Sequence, residues 1–158
     1  MATVKINRIG KRQFGVTVPY GNLTSLAFAL TTLASGAADN SNSTTALGIG
    51  DVVDLGPLPE GMRLEDASIY VTTGMTATVT GSLGFVYEDG IDDANVPQDA
   101  AYFVAGATIA TAGLYRANTG KLVTLPKPAR LILTTAVAAN AKVSDIKVVV
   151  RGELKGFR

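Results

Sequence analysis

Carboxylates are the only clustered side chains in this sequence with an evident capacity for chemistry. Glu88, Asp89, Asp92, Asp93 and Asp99 follow one another with no basic residue among them. Their hard oxygens suit a calcium ion, but the spacing lacks the terminal Glu of an EF-hand loop, so a solvated acidic loop is the simpler reading. Asp51 with Asp54, or Asp92 with Asp93, offers the two carboxylates that glycoside hydrolysis needs, yet closeness in sequence does not put two carboxyls on either side of a sugar. Gly48, Ile49 and Gly50 begin a phosphate-binding glycine pattern that stops at Val53, and they precede a strand-like run instead of a helix.

The absent residue types narrow the chemistry further. The chain has no His and no Cys. It therefore lacks imidazole bases, thiolate nucleophiles, disulfides and the usual zinc ligands. A Ser nucleophile would need a Lys or carboxylate base, and no such signature occurs. The expectation is a protein that is not an enzyme, with no catalytic residues, no cofactor and no metal. Tyr70, Phe85, Tyr87, Tyr102, Phe103 and Tyr115 are read first as core or interface anchors and only second as a sugar platform.

Charge points to protein partners. Charged residues make up 17% of the 158 residues and the net charge is +1, against the roughly 25% charged content of ordinary soluble domains. A surface this poor in charge implies contact with other protein. Near-zero net charge argues against direct nucleic-acid binding, and no apolar run is long enough to span a bilayer as a helix. The charges are also segregated. Lys5, Arg8, Lys11 and Arg12 precede the first acid, and the acidic stretch lies in the middle. Complementary ends of this kind suit neighbours in a repeating assembly. Leu26 to Ala34 follows a basic start as a secretion signal would, but Pro19, Gly21 and Asn22 interrupt the approach.

The elements that carry these residues read as strands. Met75, Ala77, Val79, Gly81, Leu83 and Phe85 alternate with Thr76, Thr78, Thr80, Ser82 and Gly84, which predicts a half-buried strand. Ser68 to Thr72 precedes it across Thr73 and Gly74, which predicts a hairpin. Ile49 to Leu55 reads as a strand that ends in a turn at Leu58, Pro59, Glu60 and Gly61. Runs at 107–112, 121–125, 129–137 and 143–154 add further strands, and Pro126 and Pro128 place the third of these at an edge or after a bend. Residues 23–34 fit either a strand or a helical stripe capped by Asn22, and a strand is preferred because the rest is β. Residues 36–43 read as a mobile polar loop. One core is expected, since a chain of this length buries about 70% of its unfolded surface as a single domain. Val79, Leu83, Phe85, Leu131, Leu133, Ile146 and Val148 are its predicted members.

From Val52, Asp54, Leu55, Gly56, Pro57, Leu58, Pro59, Glu60 and Gly61, through the alternating strands, to Tyr102, Phe103, Thr111, Ala112 and Gly113, the chain resembles small structural proteins of tailed bacteriophages. The group is the jelly-roll capsid decoration, or cement, proteins, and the resemblance covers residues 47 to 151. It implies a jelly-roll-like antiparallel β-sandwich on the outside of a virion, stabilising contacts between subunits of the major capsid protein. The alternative is a carbohydrate- or receptor-binding module of a phage tail or fibre.

The expected organisation is an extended basic N-terminal arm, residues 1–14, before a single β-sandwich domain, residues 15–158. The arm cannot bury enough apolar surface to order itself, so it should be mobile until it docks. On docking, Val4 and Ile6 would join a neighbour's sheet edge while Lys5, Arg8, Lys11 and Arg12 meet acidic surface, which makes these six the expected partner contacts. A homo-oligomer is also expected.

Overall fold

The computed structural model describes residues 1–7 and 23–155. Ten strands and no helix occur among them. They are β1 (Thr3–Lys5), β2 (Leu23–Thr32), β3 (Val52–Leu58), β4 (Met62–Thr73), β5 (Thr80–Tyr87), β6 (Asp99–Ala107), β7 (Gly113–Arg116), β8 (Val123–Thr124), β9 (Ala129–Ala136) and β10 (Ser144–Leu154). One sheet runs β1-β3-β9-β5-β6 and the other β2-β10-β4-β7, with β8 also paired to β4. The protein is an all-β sandwich. Every pairing is antiparallel except β1 with β3.

Alternation explains which residues meet between the sheets. Along β9, Leu131 and Leu133 point inward, and along β10 Ile146, Val148 and Val150 do the same, while Lys147 and Arg151 face out. All seven predicted core residues are buried. Phe85 is fully enclosed and meets Tyr87 and Tyr102 edge-on at ring-centroid distances of 5.7 and 5.3 Å. Tyr102 meets Phe103 in the same way at 4.8 Å. These rings belong to the core, as the first reading of the aromatics had it. Residues 23–32 are a strand, paired along their length with β10.

The predicted hairpin does not form. β4 lies in the second sheet and β5 in the first, so residues 74–79 cross between sheets. Met75 and Val79 are buried as the alternation suggested, but within this crossing. Gly74 is needed because a Cβ there would lie 2.1 Å from the carbonyl oxygen of Ala110. The turn after β3 also leads to the other sheet. Met62 N–H donates to Pro59 O, and Gly61 has φ +74°, so the turn sits one residue later than the sequence indicated.

Two further expectations change and a third narrows. Residues 107–112 leave β6 at Ala107 and bend, with Ile109 tucked into the core. β9 narrows to the second of its two expected placements: it follows a bend at 126–127 and is the middle strand of its sheet, not an edge, with Pro128 just short of the ladder and its carbonyl accepting from Glu88 N–H. Residues 36–43 pack: Ala37 and Ala38 are buried, Ala38 bridges Thr32, and Ala37 bridges Ala46. Replacing Phe85 with Ala should cost about 3–5 kcal/mol, since the cavity is ringed by packed aromatics that cannot collapse into it. Chemical denaturation measures this, and a loss under about 1 kcal/mol would mean that the ring is not enclosed.

Candidate interaction surface beside the N-terminal strand

β1 is the least predictable element, and a concave surface is built around it. Three residues carry no periodicity, yet Val4 is buried in this chain's own core. The backbone is tied on both flanks. Ala2 N–H donates to Asp51 Oδ1 at 2.7 Å, Val52 N–H to Ala2 O at 2.9 Å, and Ile6 N–H to Asp54 O at 3.3 Å. On the other side Lys5 N–H donates to Asn42 Oδ1 at 2.8 Å and Asn42 N–H to Lys5 O at 3.1 Å. Residues 2–6 thus pair within this chain, and the sheet edge expected from a neighbour is supplied by the sandwich itself. Val4 faces that core, Ile6 is half-buried against it, and Lys5 is exposed. Arg8, Lys11 and Arg12 lie outside the described residues.

Next to β1, the outer face of its sheet forms a hollow of about 700 Å³. Met1, Thr3 and Ile6 border one side, and Val86, Tyr87, Glu88 and Ala100 the other. Ile132 lines it. Its position between Leu131 and Leu133 turns it away from the core, yet it is only 2% exposed and stands apart from the main apolar cluster. Directly across the ladder from Ile132 is Asp54. Arg130 Nε reaches both carboxylate oxygens of Asp54 at 3.0 Å, its terminal nitrogen adds a contact of 3.0 Å, and Glu88 stands 3.9 Å from the guanidinium. Such a fork-to-carboxylate pair balances a carboxylate removed from water.

This arrangement is suited to contact. Arg130 contacts both oxygens of Asp54, so this buried carboxylate is paired. The other lining side chains are mostly aliphatic, and Thr134 Oγ1 is buried at the rim with no hydrogen-bond partner. The pairing of Asp54 with Arg130 was not among the sequence expectations. The available signal was a lone acid in the apolar run Val52 to Leu58, which has to be paired if buried.

The acidic stretch connects β5 to β6 and works on its own backbone. Asp89 accepts from Ile91 N–H, Asp92 from Gln98 N–H, and Asp93 from Asn95 and Val96 N–H. Lys127 bonds Asp89, and this contact above all holds the Asp89 carboxyl below its ordinary range. Lys121 pairs with Asp99. Burial, reinforced by Asp93, Asp92 and Asp89, pushes the Tyr87 phenol up to about 12. Among the described residues no three acidic side chains converge as a metal site would require.

Fold and surface together define an all-β sandwich with a largely aliphatic hollow beside its N-terminal strand. Three solved structures that share this fold are of phage capsids. A chain in the capsid of Ralstonia phage GP4 superposes with a TM-score of 0.69 at 16% identity, covering 99% of each chain. A chain of the cyanophage Pam1 capsid asymmetric unit has a TM-score of 0.57 at 19% identity, over 90% of this chain and 94% of that one. The acid-stable capsid of Helicobacter pylori bacteriophage KHP30 contains a third, with a TM-score of 0.51 at 16% identity, over 85% and 94%. No protein-family model and no curated protein matches the chain.

Asp51 makes the anchoring of β1 sensitive to acid. The Ala2 N–H, followed by that of Gly48, holds the Asp51 carboxyl below its ordinary value despite the opposing effect of burial. A depressed folded-state pKa contributes stability that is present above the unfolded value of about 3.9 and is lost as pH falls through the folded one. Asp51→Asn should therefore be less stable than wild type at pH 7, with the difference closing below about pH 4. Paired denaturation curves across pH test this. A constant difference would assign the stabilisation to packing.

Proposed function

We propose that this chain is a structural virion protein of a tailed bacteriophage, a decoration or cement protein of the jelly-roll type. In this reading it binds the outside of the capsid and stabilises contacts between subunits of the major capsid protein. It is not an enzyme. The observation that carries the proposal is the agreement of fold along whole chains, 99% of this one and 99% of its counterpart, with a chain of an assembled phage capsid. The strand order supports the jelly-roll reading: with the two-residue β8 set aside, successive strands from β2 to β10 alternate between sheets except at β5 and β6, which form a hairpin across the acidic loop.

The surface chemistry agrees with a part that packs. The hollow beside β1 pairs its buried charges internally and offers aliphatic side chains, which is the composition of an interface core. Lys5 and Ile6 at its border, with Arg8, Lys11 and Arg12 beyond, are proposed to contact a neighbouring subunit. Val4 contributes by holding β1 to its own sheet. Of the six aromatics first considered, Phe85, Tyr87, Tyr102 and Phe103 are buried, Tyr115 is partly buried, and Tyr70 alone is exposed, which is less than a stacked sugar platform needs. Many copies on one shell make modest single contacts cumulatively strong, most of all if the protein is a homo-oligomer.

Purified particles provide the test. The protein should remain with emptied shells in a fixed ratio to the major subunit, and protease should reach it on intact particles. Retention with the released genome or an internal location would overturn the outer-surface assignment. Sugar binding by the free protein without any shell binding would transfer it to a tail or fibre.

A further inference from the structure

The two ends of the sandwich differ in chemistry. At one end β2, β4, β6 and β9 finish and β3, β5, β7 and β10 begin. Four segments close this end, 33–51, 74–79, 108–112 and 137–143, and only Asp39, Asp51 and Lys142 among them carry charge, with Asp51 already bonded to Ala2 and Gly48 N–H. At the other end the segments 59–61, 88–98, 117–122 and 125–128 carry Glu60, Glu88, Asp89, Asp92, Asp93, Lys121 and Lys127. The charge-poor end also exposes aliphatic side chains: Leu33, Val143, Val137 and Ile49 are between 49% and 63% exposed.

That end is also rigidly built. Asn140, itself buried, joins its segments: its amide oxygen accepts from Thr76 N–H at 3.0 Å, and its amide nitrogen donates to Thr32 Oγ1 at 3.0 Å and to Lys142 O at 2.9 Å. Its backbone N–H donates to Leu47 O, whose own N–H donates to Gly36 O. Met75 N–H to Ile109 O ties in the remaining segment. Two β-branched residues here have positive φ, Thr78 at 71° and Val137 at 73°. Such backbone is held only where the surroundings over-determine it, and it is enriched at functional surfaces.

We infer that the charge-poor end is the face that docks onto the shell, against an uncharged, apolar protein surface, while the charged end faces solvent. The inference rests on the virion role proposed above. Charge complementarity selects the partner. A charged surface would find almost no counter-charge at this end and would lose its hydration without return, whereas an apolar protein surface loses little and buries four aliphatic side chains. Loops already fixed by hydrogen bonds add little ordering cost on binding.

The test compares matched substitutions on the full chain in binding to shells stripped of the protein. Ile49→Asp and Val137→Asp alter the charge-poor end. Ile91→Asp and Leu122→Asp alter equally exposed positions at the other end. The first pair should weaken binding at least tenfold, and the second pair should stay within about twofold of wild type, since interface energy is concentrated in a few enclosed side chains. Lysine acylation of the wild-type complex needs no substitution: Lys142 should become protected on the shell while Lys121 stays reactive. Protection of Lys121 with Lys142 unchanged, or loss of binding confined to the second pair, would overturn the inference and leave the virion role intact. Failure of the wild-type protein to bind shells at all would instead remove the role on which it rests.

Discussion

The apolar layer between the two sheets is what the rest of this molecule depends on. With no disulfide possible, the sheets are held by side chains such as Phe85, Leu133, Ile69 and Val148, all fully buried. Because successive strands mostly alternate between sheets, nearly every connection must cross the edge of that layer. Each crossing brings backbone polar groups to the rim of an apolar core, where an unpaired one is costly. Several of the buried polar residues answer this requirement. Asn140 serves one rim, Thr32 bonds Ser144 beneath it, and Thr135 Oγ1 donates to Gly48 O at 2.7 Å.

This arrangement explains which features can be read from the chain. β10 is the most legible strand because its buried Ile146, Val148 and Val150 alternate with less buried residues, while β5 and β9 keep the alternation except at Gly84 and Ile132, which are buried as well. Sheet membership is not legible. Ser68 to Thr72 and Thr80 to Phe85 are near neighbours in sequence and look like a hairpin, but each finds its partners far away, in β10 and β9. Local pattern gives a strand its faces, while the distant register gives it its place.

The contact surface was harder still to foresee. Asp54 and Arg130 are separated by 76 positions and meet only because β3 and β9 pair with a bulge between Asp54 and Gly56. β1 escaped for a different reason. An isolated segment with one Val and one Ile looks too polar to order, and that estimate leaves out the slot that the remainder of the domain holds open for Val4. The basic character of residues 5 to 12 was plain in the sequence, but only Lys5 among those bases lies within the described residues.

The parallel pairing of β1 with β3 has a mechanical consequence. Thr3, Val4 and Lys5 lie beside Val52, Val53 and Asp54, and the chain leaves this short ladder at its Ile6 end. Tension along the strand axis loads the ladder in shear, so its bonds and the Val4 contact must give way together. Tension across the axis peels them one by one, at much lower force. The grip of this strand therefore depends on the direction of the pull more than on the number of its bonds.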